Sequence, residues 1–217
     1  MQPEPAQEAP SRPSATVLWD IVVAPARAFA TIGAKRPVLA ATLVVVACYV
    51  ASNALTWPAL KHLSGVSDGE VATEALLQLA LLVYSWSIIA SIFANLAGGE
   101  PAQYWTRYRT YFSLAANAAI PSQLGGLAQG IAIRLHPPEH YHSLAQLANA
   151  LPFSLAVFAA PGNAREAAFL SSFDVTTIWS ILLVAFGAHA IGKIKLTPAL
   201  IVPCAVTLAI AFLYLFI

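Results

Sequence analysis

The stretch FDVTTIWSILLVAFGAHAIGKIKLTPA, residues 173–199, contains the start and stop signals of a membrane-spanning helix in their expected order. Asp174 is placed to cap the free amide groups at a helix start. No Lys, Arg, Asp or Glu stands between Val175 and Gly192, and a helix of that length reaches about 27 Å, close to the thickness of the bilayer hydrocarbon. Gly192 followed by Lys193 predicts the end of the helix, because glycine suits a C-terminal cap and cations suit the exposed carbonyls. We therefore predict a span over 175–192.

The composition indicates an integral membrane protein. Of 217 residues, 59% are hydrophobic and 10% are charged, which is too apolar for an ordinary soluble domain. The formal net charge is +1 and the basic residues are scattered, so nucleic acid is excluded as a partner. Cys48 and Cys204 lie in apolar segments at different depths, and we expect both to be unpaired small side chains.

Hydropathy and helix stop signals predict an all-α integral membrane protein, a bundle of five transmembrane helices. Pro58 is expected to end the first span, and Pro121 is expected to interrupt the third. The predicted spans are residues 38–57, 75–97, 110–133, 175–192 and 198–217.

Two segments precede the first span. Residues 1–14 are rich in proline and are predicted to be a disordered tail, which leaves 15–217 as a single membrane domain. In residues 15–33 the apolar side chains recur at helical spacing and Pro25 divides the run, which predicts an amphipathic helix pair at the membrane interface. Packing of this pair against the protein's own loops is an equal and compatible alternative.

The segment 143–160 is apolar enough to raise the question of a sixth span. With five spans and a cytoplasmic N-terminus, the Lys and Arg residues divide into 8 inside (Arg12, Arg27, Lys35, Arg36, Arg107, Arg109, Lys193, Lys195) and 3 outside (Lys61, Arg134, Arg165). With six spans the division becomes 7 and 4, so the positive-inside tendency favours five. We predict that 143–160 is a kinked amphipathic segment on the outer face, and that the C-terminus is extracytoplasmic.

Small residues line one face of the third predicted span. Ala118, Ser122, Gly126 and Gly130 recur every four residues, a spacing that lets another helix approach closely. We predict that helix packing runs along this face.

Two blocks, TVLWDIVVAPARAFATIGAKRPVL (16–39) and SSFDVTTIWSILLVAFGAHAIGKIKLTPAL (171–200), resemble the Yip family, the Ypt/Rab-interacting membrane proteins that also occur in bacteria. The resemblance implies five spans, a cytoplasmic N-terminus, a bacterial cytoplasmic membrane and action through partners rather than catalysis. The positions that carry it are Pro25, Phe29, Asp174, Trp179 and Gly187.

Some residues could support chemistry. His136, Glu139, His140 and His142 in HPPEHYH are types that bind divalent ions, but no second cluster completes a site, so a solvated loop is favoured and no metal or other cofactor is expected. His189 near the end of a span could titrate or relay a proton, but a hydrogen bond to a neighbour is favoured.

These patterns lead to a functional expectation. Common enzyme motifs are absent and no predicted span holds a pair of acidic residues. We therefore expect a non-catalytic scaffold, membrane-organising protein or accessory subunit, whose partners are the lipid bilayer and other membrane proteins or further copies of itself. The alternative is a small-solute channel or carrier that uses the broken third span.

Overall fold

The computed structural model describes residues 14–65, 67–151, 154–159 and 163–213. Within these ranges the chain is helical, and Ser154 and Asp174 form an isolated antiparallel bridge. The α-helices are α1 (Ser14–Val23), α2 (Pro25–Lys35), α3 (Val38–Ser64), α4 (Asp68–Leu96), α5 (Tyr104–Ala118), α6 (Ile120–Arg134), α7 (Leu144–Ala148), α8 (Ala164–Ser171), α9 (Val175–Gly192) and α10 (Leu196–Leu213).

Four of the described helices, α3, α4, α9 and α10, are long and apolar enough to cross a membrane. The predicted span 175–192 coincides with α9, and residues 214–217 of the last predicted span lie outside the described residues. Residues 1–13 of the predicted tail also lie outside them, while Ser14 already belongs to α1. The described part of the chain is therefore helical, and four of its helices could span a membrane by length and composition.

Pro58 does not end the first span, contrary to the expectation. It lies inside α3, which continues to Ser64 and ends at Gly65 with φ 64°. A proline removes one hydrogen bond from a helix without necessarily stopping it, and Gly65 supplies the left-handed cap that ends α3. The stop signal was therefore assigned to the wrong residue.

The helix that contains most of the second predicted span begins at Asp68, before residue 75, and its start is capped. Ser67 accepts a bond from the Glu70 amide, and Glu70 reaches back to the Ser67 amide at 2.8 Å, which is a capping box. Asp68 accepts hydrogen bonds from Lys61 at 2.9 Å and from the Trp57 indole at 3.1 Å. These contacts close the α3–α4 hairpin, although an exposed ion pair of this kind contributes little to stability because water and salt screen it.

The predicted third span consists of two helices, α5 and α6, which meet at Ala119 rather than at Pro121. The backbone at Ala119 stays right-handed, with φ −75° and ψ −15°. The Ala119 amide donates to Ala115 at 3.1 Å, and the Gln123 amide donates to Ala119 at 3.1 Å. Helical bonding thus crosses the break, although each helix alone, at 15 residues, is too short to span.

The described part of 143–160 is not one kinked helix. It contains the five-residue α7 and a 3-10 turn at Leu155–Phe158, and residues 152, 153 and 160 lie outside the description. A helix of five residues rises only about 8 Å. The described part therefore holds no spanning helix, which argues against a sixth span.

The N-terminal helices α1 and α2 pack against the bundle. Val17, Ile21, Phe29 and Ile32 are buried in the main hydrophobic core, while Trp19 is 69% exposed. One face of the pair is therefore covered by helices of the bundle, among them α3, α5 and α9, rather than by the loops that the alternative named.

Candidate functional site

Three distant segments meet where α2 crosses α9. Phe29 of α2 and Leu114 of α5 both lie against Gly187 of α9. A Cβ added to Gly187 would lie 3.0 Å from Phe29 Cε1 and closer still to Leu114 Cδ1. Since real Cβ contacts are not that short, only glycine fits at 187 without movement. Pro25 stands at the start of α2, where its missing amide hydrogen costs nothing.

Asp174 and Trp179, which also carry the resemblance drawn from the sequence, lie toward the opposite end of α9. The Asp174 carboxylate accepts from the Thr177 amide and, at 2.8 Å, from the Thr176 hydroxyl, so it caps α9. Trp179 is 38% exposed and lies on the outer surface of the bundle.

The C-terminal end of α9 differs from its predicted cap. The left-handed residue is Lys193, with φ 54°, and Gly192 is the last residue of the helix. A Cβ on Gly192 would overlap the hydroxyl of Tyr111. Glycine at 192 therefore leaves room for the Tyr111 side chain. His189 is exposed and its Nδ1 pairs with the Ile194 carbonyl oxygen at 2.8 Å.

The predicted packing face divides into two parts. Gly126 and Gly130 lie against α3: the Ser52 hydroxyl donates to the Gly126 carbonyl at 2.8 Å, and a Cβ on Gly130 would lie 3.1 Å from the Ser52 carbonyl oxygen. Ala118 is fully buried and lines a cavity on another side of the helices, while the partly buried Ser122 lines both that cavity and a pocket shared with Ser52 and Gly126. The regular spacing therefore serves two different surfaces.

Gly126→Leu should lower the melting temperature of the detergent-solubilised protein, because a Cβ at 126 would already contact Ser52 Oγ at 3.7 Å and the rest of the leucine side chain would disturb the hydrogen bond from Ser52 to the Gly126 carbonyl. We expect a fall of about 5 °C, from an overpacking cost of about 2 kcal/mol. Leu124→Ala changes a side chain that is 43% exposed and should have a smaller effect. Equal falls for the two variants would contradict a packing role for Gly126.

The HPPEHYH segment contains a 3-10 turn at Pro138–His140. His136 and His140 stack at 4.7 Å between ring centroids, and Tyr141 packs against both rings. The His142 amide instead donates to Gln146 Oε1 at 2.8 Å. Among the described residues, no group of three or more His, Cys, Asp or Glu side chains, Glu139 included, could hold a metal ion. Burial raises the pKa of the Tyr141 phenol.

A cavity of about 280 Å³ lies between α4, the α5–α6 junction, α9 and α10, just under the roughly 300–1,000 Å³ typical of small-molecule sites. We call it the hydroxyl-lined cavity. Apolar side chains form most of its wall, and no charged side chain among the described residues lines it. Its polar lining consists of Ser85, Ser122, Gln123, Ser172, Thr177, Ser180 and Thr207.

Two hydroxyl groups of this wall donate to the helix backbone. Ser85 donates to Leu82 at 2.6 Å, and Ser122 donates to Ala119 at 2.9 Å. Ser180 Oγ, in contrast, is buried without a hydrogen-bond partner among the described residues. A buried hydroxyl of this kind is usually satisfied by water or by a bound group. The cavity thus has the size and lining to hold a small neutral molecule with a polar atom near Ser180.

The sequence patterns did not indicate this cavity, nor a cluster of basic residues at the end of the bundle where α9 finishes. Arg36 and Arg107 were counted for topology, but nothing indicated that α2, α5 and α9 would bring them near Lys193. The signal available for the cavity was the repetition of Thr177 and Ser180 on one side of α9.

In comparisons with family models, curated proteins and solved structures, the chain has no significant match. The resemblance to the Yip family therefore stays a prediction, which rests on the two sequence blocks.

Proposed function

We propose that this protein is a non-catalytic integral membrane protein of the Yip-like type that acts as a scaffold, a membrane-organising protein or an accessory subunit of a membrane complex. The observation that supports it most is the uncharged wall of the hydroxyl-lined cavity. The hydroxyl-lined cavity has no charged lining residue among those described. Ion coupling and acid–base catalysis in a membrane normally require such a residue.

The proposed topology has five spans, with α5 and α6 together as the third. Hydrogen bonds that continue across Ala119 support this assignment. Arg36, Arg107 and Lys193 lie at one end of the bundle, and a common basic end is typical of the cytoplasmic side. We infer a cytoplasmic N-terminus, an extracytoplasmic C-terminus and residence in a bacterial cytoplasmic membrane.

The outer surface of the bundle supports lipid and protein partners. Leu39 is 73% exposed, Leu76 is 68% exposed and Ile201 is 59% exposed. Because lipid tails are as apolar as these side chains, either lipid or a neighbouring helix can cover them. Contact with other membrane proteins or with a second copy is therefore part of the proposal.

The hydroxyl-lined cavity supports a second candidate function, carriage of a small neutral solute. The cavity lies beside the helix break at Ala119 and contains the unpartnered Ser180 hydroxyl. Broken helices beside a polar cavity are where transporters bind their substrates.

Reconstitution distinguishes the two candidates. Purified protein in sealed vesicles should give no saturable flux for a panel of small neutral alcohols and amides, and gentle extraction from the native membrane should recover a stoichiometric partner or a homo-oligomer. Saturable flux that is abolished by Ser122→Leu, which fills the cavity, but kept by Leu124→Ala would establish the carrier. Recovery of a monomer alone would remove the scaffold proposal.

A further inference from the structure

A recess opens at the end of the bundle where α4 and α9 finish and α5 begins, with a volume of about 420 Å³. We call it the basic recess. Its polar lining side chains are those of Gln103, Thr106, Arg107, Thr110, Tyr111 and Lys193. No Asp or Glu is among the described residues that line it.

A third cation lies next to the basic recess, bonded to one of its lining residues. Arg36, the residue after α2, donates from Nε to the Thr110 hydroxyl at 2.9 Å, and that hydroxyl donates to the Thr106 carbonyl at 3.0 Å. Positive charges from three helix ends, at Arg36, Arg107 and Lys193, therefore converge on one recess although they are far apart in the chain.

These charges are not compensated by carboxylates. Arg107 donates to the carbonyl oxygens of Ala94 at 3.1 Å and Glu100 at 3.2 Å. In the described ranges, no carboxylate forms an ion pair with Arg36, Arg107 or Lys193. The C-terminal ends of α2, α4 and α9 contribute a partial negative charge of about half a unit each, which offsets only part of three full positive charges.

The backbone at the recess is held in unusual conformations. Arg36 at φ 50° and Lys193 at φ 54° are the non-glycine residues with positive φ in the described chain, a position that helices usually give to glycine. Gly99 has φ 96°, and a Cβ there would lie 3.0 Å from Arg107 Nη1. Glycine at 99 thus lets the guanidinium group lie directly on the turn after α4. Such backbone outliers concentrate at functional sites.

The recess lies beside residues typical of the headgroup region. Trp105, at the start of α5, is 69% exposed and contacts the rings of Tyr104 and Tyr108. Trp and Tyr are enriched at membrane–water interfaces, and basic pockets between helices at that depth bind anionic headgroups.

We propose that the basic recess binds a phosphate group, carried either by an anionic phospholipid or by a soluble phosphate compound. A guanidinium group, an ammonium group and neighbouring hydroxyl donors together match the chemistry of a phosphate oxygen cluster. The site is separate from the hydroxyl-lined cavity, so it holds whether or not the protein carries a solute.

The test is thermal unfolding of the detergent-purified chain with three additions: phosphatidylglycerol, phosphatidylcholine and inorganic phosphate. Phosphatidylglycerol in roughly 100-fold excess over its Kd should raise the Tm by about 5 °C, and phosphatidylcholine should not. In the Arg107→Gln/Lys193→Gln variant at least half of this shift should disappear. The matched control is Arg109→Gln/Lys195→Gln, which removes the same charge from two exposed residues outside the recess and should keep the shift.

Each result decides the proposal. A shift with phosphatidylglycerol alone identifies a lipid headgroup, and an equal shift with inorganic phosphate identifies a soluble ligand. The proposal fails if neither anion raises the Tm. It also fails if the two double variants lose the shift equally, because Arg107 and Lys193 would then act only through surface charge or by neutralising the helix ends. If Arg107→Gln prevents folding, Lys193→Gln alone gives the same comparison against Lys195→Gln.

Discussion

Gly187→Ala should destabilise the protein by about 2 kcal/mol, as expected when a methyl group is forced into a filled site. The new Cβ would overlap Leu114 Cδ1 and lie 3.0 Å from Phe29 Cε1, and Leu114 is fully buried and cannot move outward. In detergent, the Tm should fall by about 4–8 °C, since a chain of this size loses about 2–4 °C per kcal/mol. The Gly187→Leu variant should have a still lower Tm or fail to fold.

Gly69→Ala is the matched control for this change. Gly69 lies in the first turn of α4, and a Cβ there meets nothing within 4 Å. Alanine is the better helix former by up to about 1 kcal/mol, so this variant should melt at the same temperature as the parent or slightly above it. If Gly187→Ala behaves like Gly69→Ala, α2 does not sit on α9 at this point.

Gly192→Ala should have the second large effect, and Tyr111→Phe should partly reverse it. A methyl group at 192 would overlap the Tyr111 hydroxyl, while the ring carbon Cζ lies 3.0 Å away. Removal of the hydroxyl group relieves most of the overlap but leaves the ring in place. We therefore expect the double variant to be more stable than Gly192→Ala alone, with an interaction energy of about 1 kcal/mol in a double-mutant cycle of unfolding measurements.

The control for this cycle combines Gly192→Ala with Tyr104→Phe. Tyr104 is also on α5, but its hydroxyl pairs with Ser91 at 3.0 Å rather than approaching Gly192. The effects of that pair should add within about 0.5 kcal/mol. Additive effects for both pairs would show that Tyr111 leaves the site at no cost when residue 192 gains a side chain.

Local signals were sufficient for α9. The absence of charge from Val175 to Gly192, with Asp174 before it, predicted α9 to the residue because capping and length act within one segment. Pro58 misled because a proline weakens a helix locally, whereas the continuing apolar run and the Gly65 cap decide where α3 ends.

Long-range contacts could not be predicted in the same way. Nothing near Gly187 in the chain indicates Phe29 or Leu114, since the reason for the glycine comes from segments that reach it only in the folded bundle. The basic recess was hidden for the same reason, because a charge count assigns Arg36, Arg107 and Lys193 to a side of the membrane but not to one another. Spacing did identify the small face of α6, but it could not show that Gly130 meets α3 while Ala118 borders a cavity.

The contact of Phe29 with Gly187 also constrains biogenesis. Synthesis of the roughly 160 residues between them takes roughly 8–30 s at typical translation rates. During that interval α9, against which α2 packs, has not yet been made. The apolar side chains of α1 and α2 must be covered meanwhile, and the bilayer surface beside the ribosome can take them up. The N-terminal pair would then leave the lipid surface and dock only after α9 has been inserted, so that docking of the first helices is one of the last steps of assembly.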